Sequence, residues 1–176
     1  MEMGCGKSKV ILDNIAYLYS QGKIYNALIV APKGVYDNWV SKEIPTHLPD
    51  HVPYDIVKWQ SNHTKSFQKE LKVIYSSDFN LKILVMNIEA FSTKKGVQFA
   101  NKFLQLSKSI FIIDESTTIK NQDAKRTANC VRLGKYAYYR RILTGSPVTK
   151  SPLDLYSQCM FLNPALLGFS SYYSFR

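Results

Sequence analysis

Five short, largely apolar runs alternate with segments of helical character along this chain. The apolar runs are 27–31, 54–59, 82–86, 109–113 and 139–144, and the helical segments are 9–19, 35–44, 65–76, 96–106, 124–133 and 152–161. Short runs that are apolar throughout are typical of strands buried on both faces, and the helices between them supply parallel crossovers. We therefore expect an α/β fold, in which helices cover both faces of a parallel sheet.

The start of the chain, Met1 to Ser8, has the form of a phosphate-binding loop ending in Gly-Lys-Ser. Consecutive backbone N–H groups and the N-terminus of the following helix attract phosphate, and small glycines let the backbone approach it. Lys7 would contact the β- and γ-phosphates, and the Ser8 hydroxyl would bind Mg²⁺. The residues expected to contact the nucleotide are Gly4, Cys5, Gly6, Lys7 and Ser8.

Taken alone, this loop has a second interpretation. Met1 stands where the general pattern has glycine, and these 176 residues include no strand before the loop. The segment is therefore also compatible with a glycine-rich turn before a helix, in which Lys7 is an exposed charge. The other motifs of the chain decide between the two interpretations.

The fourth apolar run leads directly into two acidic residues, Asp114 and Glu115. Hydrolysis of a nucleotide needs one carboxylate for Mg²⁺ and another that orients and deprotonates the attacking water. We expect Asp114 to hold the cation, directly or through water, and Glu115 to act on the water. An isolated Asp-Glu pair is also a common helix cap, so this interpretation depends on the phosphate-binding loop.

The fifth apolar run ends in Leu143-Thr144-Gly145-Ser146-Pro147. The carboxyl ends of parallel strands meet at one edge of a sheet, where α/β proteins bind ligands. The hydroxyls of Thr144 and Ser146 would then lie near the γ-phosphate. In isolation the same segment is also an ordinary strand-to-helix turn.

Composition limits the partners of the chain. Hydrophobic residues make up 45% of the sequence, enough for one globular domain, and the formal net charge of +10 favours a polyanion such as nucleic acid. No apolar run approaches the ~20 residues that span a bilayer, and no signal peptide is visible. Three cysteines without metal-ligand spacing are typical of reduced thiols in an intracellular protein.

In this order, the motifs resemble those of the first RecA-like lobe of superfamily-two helicases, and more narrowly those of Swi/Snf-type DNA translocases. The resemblance rests on five segments. They are 2–8 (motif I), 28–32 with 38–39 and 43–44 (motif Ia), 87–91 (motif Ib), 114–115 with 119–121 (motif II), and 143–147 with 153, 155–156 and 161–164 (motif III and its extension). The extension is the most specific part, because its Phe161-Leu162-Asn163-Pro164 is not a general feature of phosphate-binding loops.

The resemblance implies that residues 1–176 form one RecA-like P-loop NTPase lobe, which binds ATP and Mg²⁺. Together with a second RecA-like lobe of the same protein, it would couple ATP hydrolysis to movement on DNA. The resemblance assigns catalytic roles to Lys7, Asp114 and Glu115. The candidates for contacting phosphates of duplex DNA without reading its sequence are Lys33, Ser92, Thr93, Lys94 and Lys95, for which a solvated charged loop is the alternative. The candidates for coupling are Thr117, Thr144 and Ser146.

The chain departs from this family in motif II and in extent. The family usually has Asp-Glu-Ala-His where this chain has Asp114-Glu115-Ser116-Thr117, and that histidine helps to couple hydrolysis to DNA. The strand before the loop, an adenine-recognising segment and the second lobe with its arginine finger are absent from these 176 residues. We therefore expect a fragment that hydrolyses ATP very poorly alone. The compact spacing suits a phage or bacterial protein, acting on DNA in the cytoplasm (that of the host, for a phage).

Two functions of other classes stay open at this point. One is a nucleotide-gated nucleic-acid-binding module that hydrolyses little ATP, which the threonine at position 117 and the missing second lobe keep open. The other is an unrelated P-loop kinase or transferase, against which the extension at 161–164 and the basic charge argue. RNA in place of duplex DNA is a variant of the leading interpretation.

Overall fold

Five parallel strands form one sheet in the order β2-β3-β1-β4-β5. A computed structural model describes residues 6–62, 64–75, 79–169 and 171–176. The strands are β1 (Asn26–Ala31), β2 (Tyr54–Lys58), β3 (Leu81–Asn87), β4 (Ser109–Asp114) and β5 (Tyr139–Leu143). Each one coincides with a predicted strand to within one residue at either end, and the parallel sheet confirms the predicted fold class.

Helices connect the strands and cover both faces of the sheet. They are α1 (Lys7–Ser20), α2 (Tyr36–Asn38), α3 (Ile44–His47), α4 (Lys65–Ile74), α5 (Lys94–Leu106), α6 (Lys125–Gly134), α7 (Asp154–Leu162) and α8 (Tyr172–Phe175). Short 3₁₀ helices follow β3 at Ile88–Ser92 and β4 at Ser116–Ile119. The predicted helix over 35–44 differs, because a π-helical turn at Trp39–Glu43 separates α2 from α3.

Each inner strand sends alternate side chains to opposite faces of the sheet, as the two-residue period of a strand requires. On β1, Ala27 and Ile29 pack with residues of α1 and α3, whereas Leu28 and Val30 pack with residues of α4, α5, α6 and α7. All six residues of β1 and of β4 are buried. Such burial stabilises the fold by about 1.5–3 kcal/mol for each large aliphatic side chain.

The crossover connections identify one position along the carboxyl edge of the sheet where a ligand is expected to bind. The connection from β1 to β2 packs on the face that carries α1, whereas α4, α5 and α6 connect the later strands across the opposite face. The chain therefore changes direction at the neighbouring carboxyl ends of β1 and β4, and this is where open α/β sheets bind ligands. The outer strand β5 is half-buried along its whole length. None of the helices in the described part of the chain combines the length and the apolar character that a membrane span requires.

Candidate nucleotide-binding site and nucleic-acid groove

The phosphate-binding motif enters the described part of the chain at Gly6, which caps the N-terminus of α1. Gly6 adopts the left-handed conformation with φ 74°, which favours glycine, and an added Cβ would meet no atom of the described residues within 4 Å. Lys7 and Ser8 follow as the first residues of α1 and are half-buried. The predicted contacts of Gly4 and Cys5 lie outside the described residues.

Asp114 ends β4 with a buried carboxylate, and both of its oxygens accept hydrogen bonds. The indole Nε1 of Trp39 donates to Oδ2 at 2.8 Å, and the backbone N–H of Glu115 donates to Oδ1 at 2.9 Å. Burial raises the pKa of Asp114, while these two hydrogen bonds and the positive charge of Lys7 act in the opposite direction. The positive charge of Lys7 in the loop therefore favours the ionised form of Asp114, the first acid of motif II.

Glu115 has a strained backbone. Its φ of 48° and ψ of 61° lie in the left-handed region, and it is the one non-glycine residue with positive φ within 6–62, 64–75, 79–169 and 171–176. This conformation costs an L-residue roughly 1–2 kcal/mol, and it persists only where neighbouring contacts hold it. The turn directs the chain from the end of β4 into the 3₁₀ helix Ser116–Ile119.

The donor set at this edge fits Mg²⁺ bound together with a phosphate. In the part of the chain that the structure describes, no group of three or more His, Cys, Asp or Glu side chains could hold a metal ion by itself. Mg²⁺ is usually bound by one or two carboxylates, with water and substrate phosphates as the other ligands. Asp114 suits that pattern, because each of its carboxylate oxygens accepts one hydrogen bond and has a second lone pair for a cation.

The three residues predicted for coupling do not form one hydrogen-bonded group. The hydroxyl of Thr144 accepts from the backbone N–H of Ser146 at 3.1 Å, a contact within one turn. A buried connection between the two loops runs instead through Ser116, whose hydroxyl donates to Oε1 of Gln158 at 2.5 Å. Sequence reasoning missed Gln158, because a single polar residue in a predicted helix does not indicate that it is buried or which residue it contacts.

A groove of about 670 Å³ opens at the carboxyl ends of β1, β2 and β3. Three of the five predicted nucleic-acid contacts, Lys33, Thr93 and Lys95, line this groove together, while Ser92 and Lys94 are exposed on the adjoining segment. The remaining lining residues are Tyr36, Lys58, Trp59, Gln60, Ser61, Asn62, Asn87, Glu89 and Ala90.

Several groove residues are held by contacts of their own. Lys95 donates to the backbone oxygen of Ser61 at 2.7 Å. The Thr93 hydroxyl caps α5, because it accepts from the N–H of Gly96 at 3.1 Å. Lys58, which is not among the predicted nucleic-acid contacts, donates to Oδ1 of Asp37 at 2.7 Å, and this hydrogen bond raises the pKa of the lysine. The groove therefore has fixed cationic positions.

The sheet, the glycine turn before α1 and the acidic end of β4 define a RecA-like lobe of a P-loop nucleotide-binding protein. The sequence model of the SNF2-related domain matches residues 1–176. The chain belongs to the SNF2-related domain family.

Relatives and a solved structure agree with this assignment. The chain is 27% identical over 180 residues to the chromatin-remodeling ATPase INO80 of Aspergillus terreus. The match covers 98% of this chain and 10% of that protein. It is 25% identical over 170 residues to the SWI/SNF-related matrix-associated actin-dependent regulator of chromatin subfamily A containing DEAD/H box 1A of Danio rerio, with coverages of 97% and 17%. This chain thus spans a small part of the length of these relatives.

The fold resembles the Sulfolobus solfataricus SWI2/SNF2 ATPase core in complex with dsDNA. The TM-score is 0.71 at 23% identity, and the match covers 99% of this chain and 32% of that one. This likeness confirms the predicted architecture, and the family match confirms the resemblance to Swi/Snf-type proteins that the motifs indicated.

Proposed function

We propose that this chain is the ATP-binding lobe of an ATP-dependent DNA translocase, which couples ATP hydrolysis to movement on duplex DNA. The observation that carries this proposal is the position of Asp114. Its buried carboxylate lies at the switch point of the sheet, within the electrostatic influence of Lys7 and next to Glu115. The named functions of the relatives, which are chromatin-remodeling ATPases, support the same conclusion.

ATP and Mg²⁺ would bind at the start of α1. Backbone N–H groups of the loop and the ammonium of Lys7 neutralise phosphate charge, and the Ser8 hydroxyl and Asp114 hold the cation. The cation supplies charge stabilisation for transfer of the γ-phosphoryl group to water. Glu115 orients the attacking water and accepts its proton, and Trp39 keeps the carboxylate of Asp114 in place.

DNA would bind along the groove at the ends of β1, β2 and β3. Lys33, Lys58 and Lys95 are cations that line this groove, so it offers groups that contact phosphates rather than bases. Binding should therefore be independent of sequence and sensitive to salt. Duplex DNA is the preferred track, because the solved relative of similar fold carries dsDNA.

Turnover would need a second RecA-like lobe of the same protein, which closes on the nucleotide and provides an arginine. We expect these 176 residues alone to hydrolyse ATP very poorly for that reason. We place the protein inside the cell, on DNA. A nucleotide-gated nucleic-acid-binding module with little hydrolysis is the second candidate, and the observation that favours it is the serine and threonine at positions 116 and 117.

Two variants of the full-length protein test the nucleotide site. Lys7→Ala should abolish tight binding of Mg-ATP, because the phosphates lose their main cationic partner, whereas Glu115→Gln should bind ATP and fail to turn it over. Lys9→Ala is the matched control, since Lys9 lies on the same helix, is exposed and pairs with Asp13. Unchanged nucleotide affinity in Lys7→Ala, or continued turnover in Glu115→Gln, would contradict the proposal.

A further inference from the structure

A buried glutamine connects the two loops that flank the candidate site. Gln158 on α7 is 1% exposed, and its Oε1 accepts from the hydroxyl of Ser116 at 2.5 Å. Its Nε2 donates to the backbone oxygens of Pro147 and Asp154, both at 2.8 Å. The two carbonyls fix the orientation of the amide, because a carbonyl can only accept a hydrogen bond. The amide therefore has one arrangement that satisfies all its partners.

The two ends of this connection lie next to the residues that would act on the nucleotide. Ser116 is fully buried and directly follows Glu115, whose left-handed backbone must be held by its surroundings. Pro147 lies in the loop after β5, which also contains Thr144 and Ser146. Displacement of that loop would therefore act on the turn at Glu115 through a single amide.

A second set of hydrogen bonds holds the loop after β5 to the beginning of α7. The carboxylate of Asp154 accepts from the backbone N–H groups of Thr149 and Lys150, each at 2.9 Å, and these bonds hold the pKa of Asp154 below its ordinary range. The Thr149 hydroxyl donates to the same carboxylate and accepts from Lys120 at 2.6 Å. Hydrogen bonds therefore join the loop after β5 to the start of α7, and Gln158 extends this network to Ser116.

We propose that Gln158 is a positioning residue that acts through Ser116 to hold Glu115 in its hydrolytic geometry, and that couples this geometry to the loop after β5. The inference rests on the proposed function, since it concerns the turnover of ATP stimulated by DNA. It assigns this role to the hydroxyl of Ser116 and the amide of Gln158, whose hydrogen bonds join the two loops.

The test compares Ser116→Ala with Gln158→Met in the full-length protein. Each variant removes the connection from one end, and methionine keeps the approximate length and shape of glutamine. We expect each to lower kcat for DNA-stimulated ATP hydrolysis by about tenfold, with KM for ATP and the affinity for Mg-ATP unchanged. The double variant should lose no more than the worse single variant, because both remove the same connection.

Ser157→Ala is the matched control, since it removes a hydroxyl from the adjacent buried position of α7 and leaves the connection intact. Thermal unfolding of every variant identifies general destabilisation. If Gln158→Met fails to fold, Ser116→Ala decides the question from the other end. A wild-type kcat in Ser116→Ala would overturn this inference, and so would independent, additive losses in the double variant. Neither result would contradict the proposed function. A wild-type protein that DNA does not stimulate would overturn the proposed function, and the inference with it.

Discussion

The indole N–H of Trp39 donates a hydrogen bond to the carboxylate of Asp114 at 2.8 Å, across 75 positions of sequence. Trp39 is buried within the π-helical turn that follows β1, and Asp114 ends β4. The bond therefore joins the segment next to the groove with the residue expected to bind Mg²⁺. A side chain of motif Ia thus contributes to the electrostatics of motif II.

Trp39→Phe should shift the acid limb of the pH–rate profile for ATP hydrolysis to higher pH. The hydrogen bond from Trp39 lowers the pKa of Asp114, so its removal raises that pKa further and delays formation of the carboxylate that binds Mg²⁺. A hydrogen bond to a charged group contributes about 1.5–3 kcal/mol, which corresponds to a shift of roughly one pH unit or more. The profile is measured without nucleic acid.

Trp59→Phe provides the control for this prediction, because Trp59 is also buried but packs against Phe67 and Phe99. It should leave the acid limb where it is in the wild-type protein. A Trp39→Phe profile that coincides with the wild-type profile would show that the indole has no influence on the ionisation of Asp114.

The position of Asp114 could be predicted from the sequence, whereas its contact with Trp39 could not. A buried strand that ends in an acid is recognisable from apolar residues alone, and β4 ends where the pattern predicted. The contact needs the π-helical turn at Trp39–Glu43, and nothing in the 3.6-residue period of 35–44 indicated that turn. Local patterns determine the elements, but the close approach of two distant side chains depends on how those elements pack.

The same limit applies to the groove and to the buried amide. Lys58 ends β2, and only the observed strand order places that end beside Lys33 and Lys95. Gln158 has a polar side chain at a helical position, which alone gives no partner. Its pairing with Ser116 requires α7 to pack against the 3₁₀ helix after β4.

Asp114→Asn should change how stability depends on pH when nucleotide and Mg²⁺ are absent. The pKa of Asp114 is raised in the folded protein, so the folded state binds this proton more tightly than the unfolded chain does. The contribution of Asp114 to stability is therefore present below the unfolded pKa of about 3.9 and is lost as the pH rises through the raised folded pKa.

Urea unfolding at a series of pH values measures this effect. The free energy of unfolding of the wild-type protein, minus that of Asp114→Asn, should decrease across this window and then become constant. A difference that increases with pH would mean that hydrogen bonds and the charge of Lys7 outweigh burial at Asp114.

Glu115→Asn should stabilise the protein while it abolishes hydrolysis. Asparagine adopts the left-handed conformation more readily than glutamate, so the strain at this position should decrease by up to about 1 kcal/mol. Glu115→Gln is the matched control, because it loses the carboxylate without gaining that conformational preference. Chemical denaturation compares the two variants, and equal stabilities would argue against strain at this turn.

Lys33→Ala and Lys95→Ala should each weaken DNA binding in the same way for all sequences. Each removes one phosphate contact, so the slope of log affinity against log salt concentration should decrease in magnitude by about one. Titrations of labelled duplexes of two unrelated sequences at several salt concentrations measure both properties.

Lys23→Ala serves as the control for these titrations, because Lys23 is exposed and precedes β1, at the opposite edge of the sheet. Its salt slope should equal that of the wild-type protein. Equal slopes for all three variants would exclude the groove as the DNA-binding surface.

The most direct test of the central claim is the rate of ATP hydrolysis by the full-length protein under four conditions: without nucleic acid, with duplex DNA, with single-stranded DNA and with RNA. A translocase of this family should turn over slowly alone and should be strongly stimulated by duplex DNA, more than by the other two nucleic acids. Turnover that is equal under all four conditions would contradict coupling to DNA, and the lobe would then have to be regarded as a nucleotide-binding unit without a nucleic-acid track.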